Sequence, residues 1–245
     1  MRIILVRHAE SEANLNKNLW ATMADCNIPL SVRGREQARE CGEHIKQYYQ
    51  SIYNTINAPK DRQCVLWTSP YERARQTSAE LCSVLHDWVD RKHESPLLAE
   101  QQFGLYEGVD WESVADTYPK ETEYYRKYTE KGAKYWVKMP LGESRFDVSV
   151  RVSQIFPLIH RENYQKGVSD VIIVSHGVAI RAFIMMWMHY SPEWMYLDPN
   201  PVNCEVRVIH GHEYLGCYWK PRELYSIIPY EPTDKLLGNN KTPKT

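Results

Sequence analysis

The chain has 245 residues, enough for one large or two small domains to bury a core unaided. Thirty lysines and arginines against 31 aspartates and glutamates leave a formal charge of −1, which excludes the basic footprint of a general nucleic-acid or membrane-surface binder. Six scattered cysteines (Cys26, Cys41, Cys64, Cys82, Cys204 and Cys217) lack the C-x-x-C spacing of zinc or dithiol centres, and no secretory leader or membrane-length apolar run is visible. A soluble, cytoplasmic protein with free thiols is expected.

The first element is a β-branched run, Ile3-Ile4-Leu5-Val6, which leads into Arg7-His8-Ala9-Glu10-Ser11. Such runs, bounded by polar turn residues and followed by helical patterns, read as buried parallel strands. A short helix around Ser11 to Asn16 follows in an otherwise irregular segment that ends at Pro29. Ser31 caps a predicted helix whose buried stripe is Ala38, Cys41, Ile45, Tyr49 and Ile52. After a polar turn, Ala58 to Arg62, Cys64-Val65-Leu66-Trp67 is a second buried strand ending at Thr68-Ser69-Pro70. Ser69 as N-cap, Pro70 at the first helical position and Glu72 three residues after the cap predict a capping box. That helix buries Ala74, Ser78, Leu81, Cys82 and Leu85, and it carries Arg73 in its first turn.

From Phe103 to Tyr135 the chain is rich in tyrosine and alternating charge, with Pro119 opening a helical stretch and Gly132 closing it. A long helical pattern runs from Phe146 to Ile159, where Pro157 should kink or end it. Val171-Ile172-Ile173-Val174 then repeats the opening theme and leads into Ser175-His176-Gly177. Glu205 to Ile209 and Tyr214 to Trp219 form a predicted hairpin around Gly211-His212. With no internal repeat or central linker, residues 1–230 read as one α/β domain with a cap-like insertion at about 105–142, and 231–245 as a loose tail.

In open α/β sheets ligands bind beyond the carboxyl ends of the strands. His8, Arg7, Arg73 and His176 all fall at such ends, so two imidazoles and two guanidiniums are expected to meet across one crevice. This set suits a dianionic oxygen cluster, and phosphate is its natural ligand. Neutral imidazole attacks phosphorus well, and an alkoxide leaving group needs a proton donor. Glu100, in Leu98-Ala99-Glu100 before the Gly104 turn, is the candidate donor, with Glu107 a close rival. No carboxylate cluster or His/Cys set has metal spacing, and His210-x-His212 lacks a third ligand, so no metal or other cofactor is expected.

Four ordered motifs carry a family resemblance: Arg7-His8-Ala9-Glu10-Ser11 with Asn14; Ser69-Pro70 leading to Arg73-Ala74 and Gln76-Thr77; Leu98-x-Glu100 with Gly104 and Glu107-Gly108; and Ser175-His176-Gly177. Together they resemble the phosphoglycerate-mutase-like branch of the histidine phosphatase superfamily over roughly residues 2 to 210. The resemblance implies a three-layer α/β/α sandwich with a mostly parallel central sheet. It implies that His8 is the phosphorylated residue and Glu100 the acid and base. Arg7, Arg73 and His176 would form the phosphate pocket with Asn14 and the Gly177 backbone, and Ser11 would lie near it.

Ala9 stands where many members have glycine. Where mutases resemble Glu-Arg-His-Tyr-Gly, this chain has Glu100-Gln101-Gln102-Phe103-Gly104, which favours release to water over a retained bisphosphate. A phosphatase acting on small phosphorylated substrates, best on the acidic side of neutral, is therefore expected. The alternatives are a phosphoglycerate or bisphosphoglycerate mutase and a non-catalytic phospho-ligand-binding or scaffold domain. Pro140-x-Gly142-Glu143-Ser144 is similar to a stretch in broad-specificity acid phosphatases, and Lys120, Arg126, Lys127, Lys131, Lys134 and Lys138 are candidates to meet a second anionic group. Neither the substrate nor the oligomeric state is legible.

Overall fold

The computed structural model describes residues 1–59, 62–109 and 113–221, so the expected tail at 231–245 lies outside the described residues. The elements run β1 (Arg2–Arg7), α1 (Glu12–Leu15), α2 (Leu19–Thr22), α3 (Val32–Tyr53), β2 (Gln63–Thr68), α4 (Glu72–Val84) and β3 (Arg91–Glu94). They continue with α5 (Val114–Thr117), α6 (Pro119–Thr129), α7 (Arg145–Ser153), α8 (Phe156–Lys166), β4 (Val168–Ser175), α9 (Gly177–Trp187), α10 (Trp194–Leu197), β5 (Val206–His210) and β6 (Glu213–Trp219).

The strands form one sheet in the order β3-β2-β4-β1-β5-β6. β3, β2, β4 and β1 are parallel, and the β5–β6 hairpin adds an antiparallel edge. Side chains alternate across a strand, so the continuous apolar runs serve two faces. Ile3, Leu5, Val65 and Ile173 pack against Val148, Val152, Ile159 and Phe183 of α7, α8 and α9. Ile4, Val6, Leu66 and Ile172 pack against Ala38, Cys41, Ile45 and Leu81 of α3 and α4. The result is the expected α/β/α sandwich.

Several local expectations need correction. Ile52 is 37% exposed; the α3 stripe continues through Tyr53, four residues after Tyr49, and its hydroxyl donates to buried Asp170. Ser69 is not the cap of α4, whose N-cap is Tyr71. The Ser69 amide extends the sheet by donating to the Val174 carbonyl at 3.0 Å, while its hydroxyl lies 2.8 Å from His176 Nε2 and accepts from the Tyr71 amide at 3.3 Å, two residues before the cap. The pattern over Phe146 to Ile159 is two helices. Pro157 removes the donor that would bond the Ser153 carbonyl; α7 ends there, and Pro157 enters the first turn of α8. A capping box does form at Ser144, whose hydroxyl accepts from the Asp147 amide at 3.0 Å while its own amide donates to Asp147 Oδ2 at 2.8 Å. The edge strand β3, Arg-Lys-His-Glu, has no apolar alternation to reveal it, as charged edge strands often do not.

At the end of the sheet opposite to His8, the fully buried Asp170 carboxylate accepts from Arg2 at 2.9 Å and Arg62 at 2.8 Å. The Arg62 guanidinium lies 4.2 Å from the Tyr49 ring centroid and donates to the Trp88 carbonyl. Among the described residues, no helix is long and apolar enough to cross a membrane.

Candidate active site

Parallel pairing of β1 with β4 sets Arg7 opposite Ser175, so the residues that follow, His8 and His176, emerge side by side. Their ring centroids are 5.1 Å apart. The turn after β1 is held by bonds from His8 N to Ser175 O (2.9 Å), Ala9 N to Thr77 Oγ1 (3.0 Å) and Asn203 Nδ2 to His8 O (3.0 Å). The His8 Nδ1 lies 2.8 Å from the Ala9 carbonyl, which can only accept. Nδ1 therefore carries the proton, and Nε2 keeps a lone pair. Burial, reinforced by the neighbouring Arg73 and Arg7 charges, holds the His8 pKa well below the ordinary histidine value. The same causes, burial first, depress His176, whose Nε2 lies 2.8 Å from Ser69 Oγ.

Arg7, at the end of β1, donates through Nη1 to the Pro201 carbonyl at 2.6 Å, and burial lowers its pKa. Arg73, in the first turn of α4, is held differently from the expectation. Its two terminal nitrogens each lie 3.0 Å from an oxygen of Asp25, and Nη1 also donates to the Asp25 carbonyl at 2.6 Å. Trp20 Nε1 fixes the same carboxylate at 2.9 Å. A tethered carboxylate thus occupies the fork that was assigned to phosphate. Asp25→Asn is expected to tighten inhibition by inorganic phosphate about tenfold, since an anion no longer competes for Arg73. Unchanged inhibition would remove that role from Asp25.

Glu100 follows the 3-10 turn Pro96–Leu98. Its Oε1 accepts from the Gln101 amide at 2.9 Å, and its Oε2 from the Val178 amide in the first turn of α9 at 3.4 Å. It lines the same cavity of about 810 Å³ as Arg7, His8, Ser11, Asn14 and Arg73. Glu107 lines it too, with a pKa raised by partial burial and then by Asp25. His176 and Gly177 sit behind this surface, and His176 is fully buried. A methyl group on Gly177 would meet Asn200 Oδ1 at 2.3 Å, so glycine here admits Asn200 to the cavity wall. Ser11 is 2% exposed and donates through its amide and hydroxyl to Asn14 Oδ1. It caps α1 while Asn14 braces the turn.

The rest of the wall departs from the expectation. Tyr106, Glu107, Gly108 and Val109 come from the start of the cap-like segment, but none of Lys120, Arg126, Lys127, Lys131, Lys134 or Lys138 lines the cavity. Lys17, Asn18, Trp20, Ala21 and Asp25 also line it, from a polar stretch that carries no periodic signal, and a methyl group on Gly108 would lie 2.7 Å from the Trp20 carbonyl, so the two segments abut. Arg181 also lines it, with a pKa lowered to about 10 by burial and then by Arg145, and it donates to the Met195 carbonyl at 2.9 Å. The sequence reading missed it; the lone cation inside the apolar run Val178-Ala179-Ile180-Arg181-Ala182-Phe183 is the signal that could have found it.

Two imidazoles flanked by two guanidiniums thus stand together at the carboxyl edge of the parallel strands. Residues 3–216 match the histidine phosphatase superfamily (branch 1), and the chain belongs to that family. Two Arabidopsis thaliana phosphoglycerate mutase-like proteins, AT74 and AT74H, are 31% and 32% identical to it over 85% of this chain. The chain spans 64% and 73% of their respective lengths. A broad-range acid phosphatase of Saccharomyces cerevisiae, DET1, is 23% identical over 88% of this chain and 87% of its own length. The fold is shared with a mycobacterial glucosyl-3-phosphoglycerate phosphatase (TM-score 0.64, 18% identity, 86% of this chain and 90% of that one). It is shared equally with an α-ribazole phosphatase of Shigella flexneri (TM-score 0.62, 22% identity, 86% and 90%).

Proposed function

We propose that the protein is a cytoplasmic phosphomonoesterase that works through a phosphohistidine on His8, with Glu100 as proton donor and acceptor. The observation that carries this reading is the His8 imidazole, neutral, with Nδ1 bonded to a carbonyl and Nε2 free, between Arg7 and Arg73. The phosphatases among its relatives support it. In the first step Nε2 attacks phosphorus, the ester P–O bond breaks, and the departing oxygen takes the Glu100 proton to leave as an alcohol. In the second, water attacks the phosphohistidine and gives its proton to the Glu100 carboxylate. The N–P bond breaks, its electron pair returns to the imidazole, and inorganic phosphate leaves. Arg7 and Arg73, the latter on release from Asp25, hold the equatorial oxygens; Asn14 and Ser11 line the same cavity, and His176 and the Gly177 backbone support it from behind. The substrate is a small phosphorylated molecule. The working unit is residues 1–230, with the insertion at about 105–142 contributing to one wall of the cavity.

Hydrolysis is favoured over mutase chemistry because Gln101 and Gln102 stand beside Glu100 where mutases resemble Arg-His, and so supply no cation there. The test is turnover of a phosphomonoester panel that includes p-nitrophenyl phosphate and 3-phosphoglycerate, before and after dialysis against EDTA. Hydrolysis undiminished by the chelator is expected. Phosphate transfer between positions of 3-phosphoglycerate at a rate above hydrolysis would establish the mutase. Inertness across the panel and across pH would establish a binding domain.

The depressed histidine pKa values set a pH dependence. Free imidazole titrates near ~6.5, and both rings stay neutral in the folded protein well below that. The acid limb of kcat/KM, corrected for ionisation of the substrate, is therefore expected below the ordinary histidine range. Stability follows the same sign. The unfolded chain binds protons that the folded chain does not, so the contribution is complete above about 6.5 and is lost as pH falls through the depressed values. An acid limb centred at the free-imidazole value would contradict the buried, neutral His8.

A further inference from the structure

Glu100 sits on a loop, and a loop carboxyl that must meet a leaving oxygen needs its backbone held. Arg151, near the end of α7, does this with all five of its N–H donors. Nη1 donates to the carbonyls of Leu97 at 2.9 Å and Ala99 at 3.1 Å, and Nη2 donates to the carbonyl of Glu100 itself at 3.2 Å. The remaining donors, on Nε and Nη2, take the two oxygens of Glu143 at 2.9 Å each. Glu143 in turn grips the far side of the loop. Its Oε2 accepts from the Gln102 amide at 3.1 Å, its carbonyl from Gln101 Nε2 at 2.8 Å, and its amide donates to the Gln102 carbonyl at 2.9 Å. Gly104 closes the loop with φ +61°, and a methyl group there would lie 2.1 Å from the Pro140 carbonyl. The backbone of residues 97–102 is therefore bonded at each flank of Glu100 to one ion pair.

We propose that Arg151 and Glu143 are positioning residues for the Glu100 carboxyl, and that they govern the leaving-group proton transfer without touching substrate. The proposal rests on the phosphatase reading above. A fork geometry is essential, because lysine keeps the charge but offers three donors from one point and cannot reach three carbonyls and a carboxylate together.

The expected signature depends on the leaving group. A good leaving group departs without a proton, so loss of the acid is felt only with poor ones, and kcat/KM reports phosphoryl transfer to His8 alone. The experiment measures kcat/KM of wild type, Glu100→Gln, Arg151→Lys and Glu143→Gln on a series from 2,4-dinitrophenyl phosphate through phenyl phosphate to an alkyl phosphate. General acid catalysis contributes about 10²–10⁴-fold, so Glu100→Gln should lose that much on the alkyl ester and little on the dinitrophenyl ester. Arg151→Lys should follow the same slope, with a loss at least about tenfold larger on the alkyl ester than on the dinitrophenyl ester. Glu143→Gln, which keeps the shape of the partner, should show the same dependence in weaker form. A uniform loss across the series in Arg151→Lys and Glu143→Gln, beside a steep Glu100→Gln slope, would overturn the positioning role alone. A flat Glu100→Gln series would instead overturn Glu100 as the proton donor, and the proposal with it.

Discussion

His8→Ala is expected to lower kcat on p-nitrophenyl phosphate by roughly four to six orders of magnitude, the scale on which enzymes respond to loss of a covalent nucleophile. It should also abolish the acid-labile phosphoryl label that wild type acquires from a radiolabelled ester. The residue is 5% exposed, and among the described residues its ring bonds the carbonyl of the next residue, so its removal leaves the turn after β1 in place. That turn is held by backbone atoms and by Thr77 and Asn203. Arg7, Arg73 and His176 remain, and inorganic phosphate should still bind the variant. Loss of turnover with retained phosphate binding separates chemistry from recognition. Retained turnover at a tenth of wild type or more would end the phosphohistidine mechanism.

Asp170→Ala is expected to cost about 3–5 kcal/mol of stability, because removing one partner leaves buried charge uncompensated. Asp170 is fully buried, and the Arg62 side chain beside it is 2% exposed. The alanine would strand Arg62 among Tyr49, Tyr53 and Trp88, with Arg2 losing its carboxylate at the same time. Urea unfolding followed by tryptophan fluorescence reads the loss. Since Asp170 lies near the start of β4 and the histidines lie past the far ends of the strands, kcat/KM per folded molecule should stay near wild type. A cost under about 1 kcal/mol would mean that water or a rearranged side chain rescues the arginines.

What could be read from the sequence was what repeats along it. The strands β1, β2 and β4 announce themselves as β-branched runs, and Arg7, His8 and His176 follow from their ends. Arg73 was placed correctly for a reason that failed: it lies in the first turn of α4, but the cap is Tyr71, and the Ser69 hydroxyl bonds both the Tyr71 amide and His176. The bond to His176, 107 residues away, is a tertiary contact that a capping motif cannot reveal. Asp25 and Trp20 were missed because their segment has no period, and their importance comes from a contact with Arg73, 48 residues away for Asp25. The lysines of the insertion were overvalued for the converse reason. α6 has no buried face, and charge on an exposed helix says nothing about which way the cavity opens. Arg151 and Glu143 lie eight residues apart across the start of α7, and neither position carries a mark of the loop they brace.

The 5.1 Å between the imidazole centroids of His8 and His176 is close to the ~4.7–4.9 Å that separates neighbouring strands in any sheet. The spacing of the two imidazoles is gauged by the backbone ladder itself, whereas Trp20, Asp25 and Glu107 come from segments outside the sheet. On the proposed phosphatase reading, exchanging those segments for longer or differently charged ones would alter which alcohol is accepted and leave the interval between the rings untouched. A scaffold divided in this way would let ester preference diversify apart from the cutting chemistry.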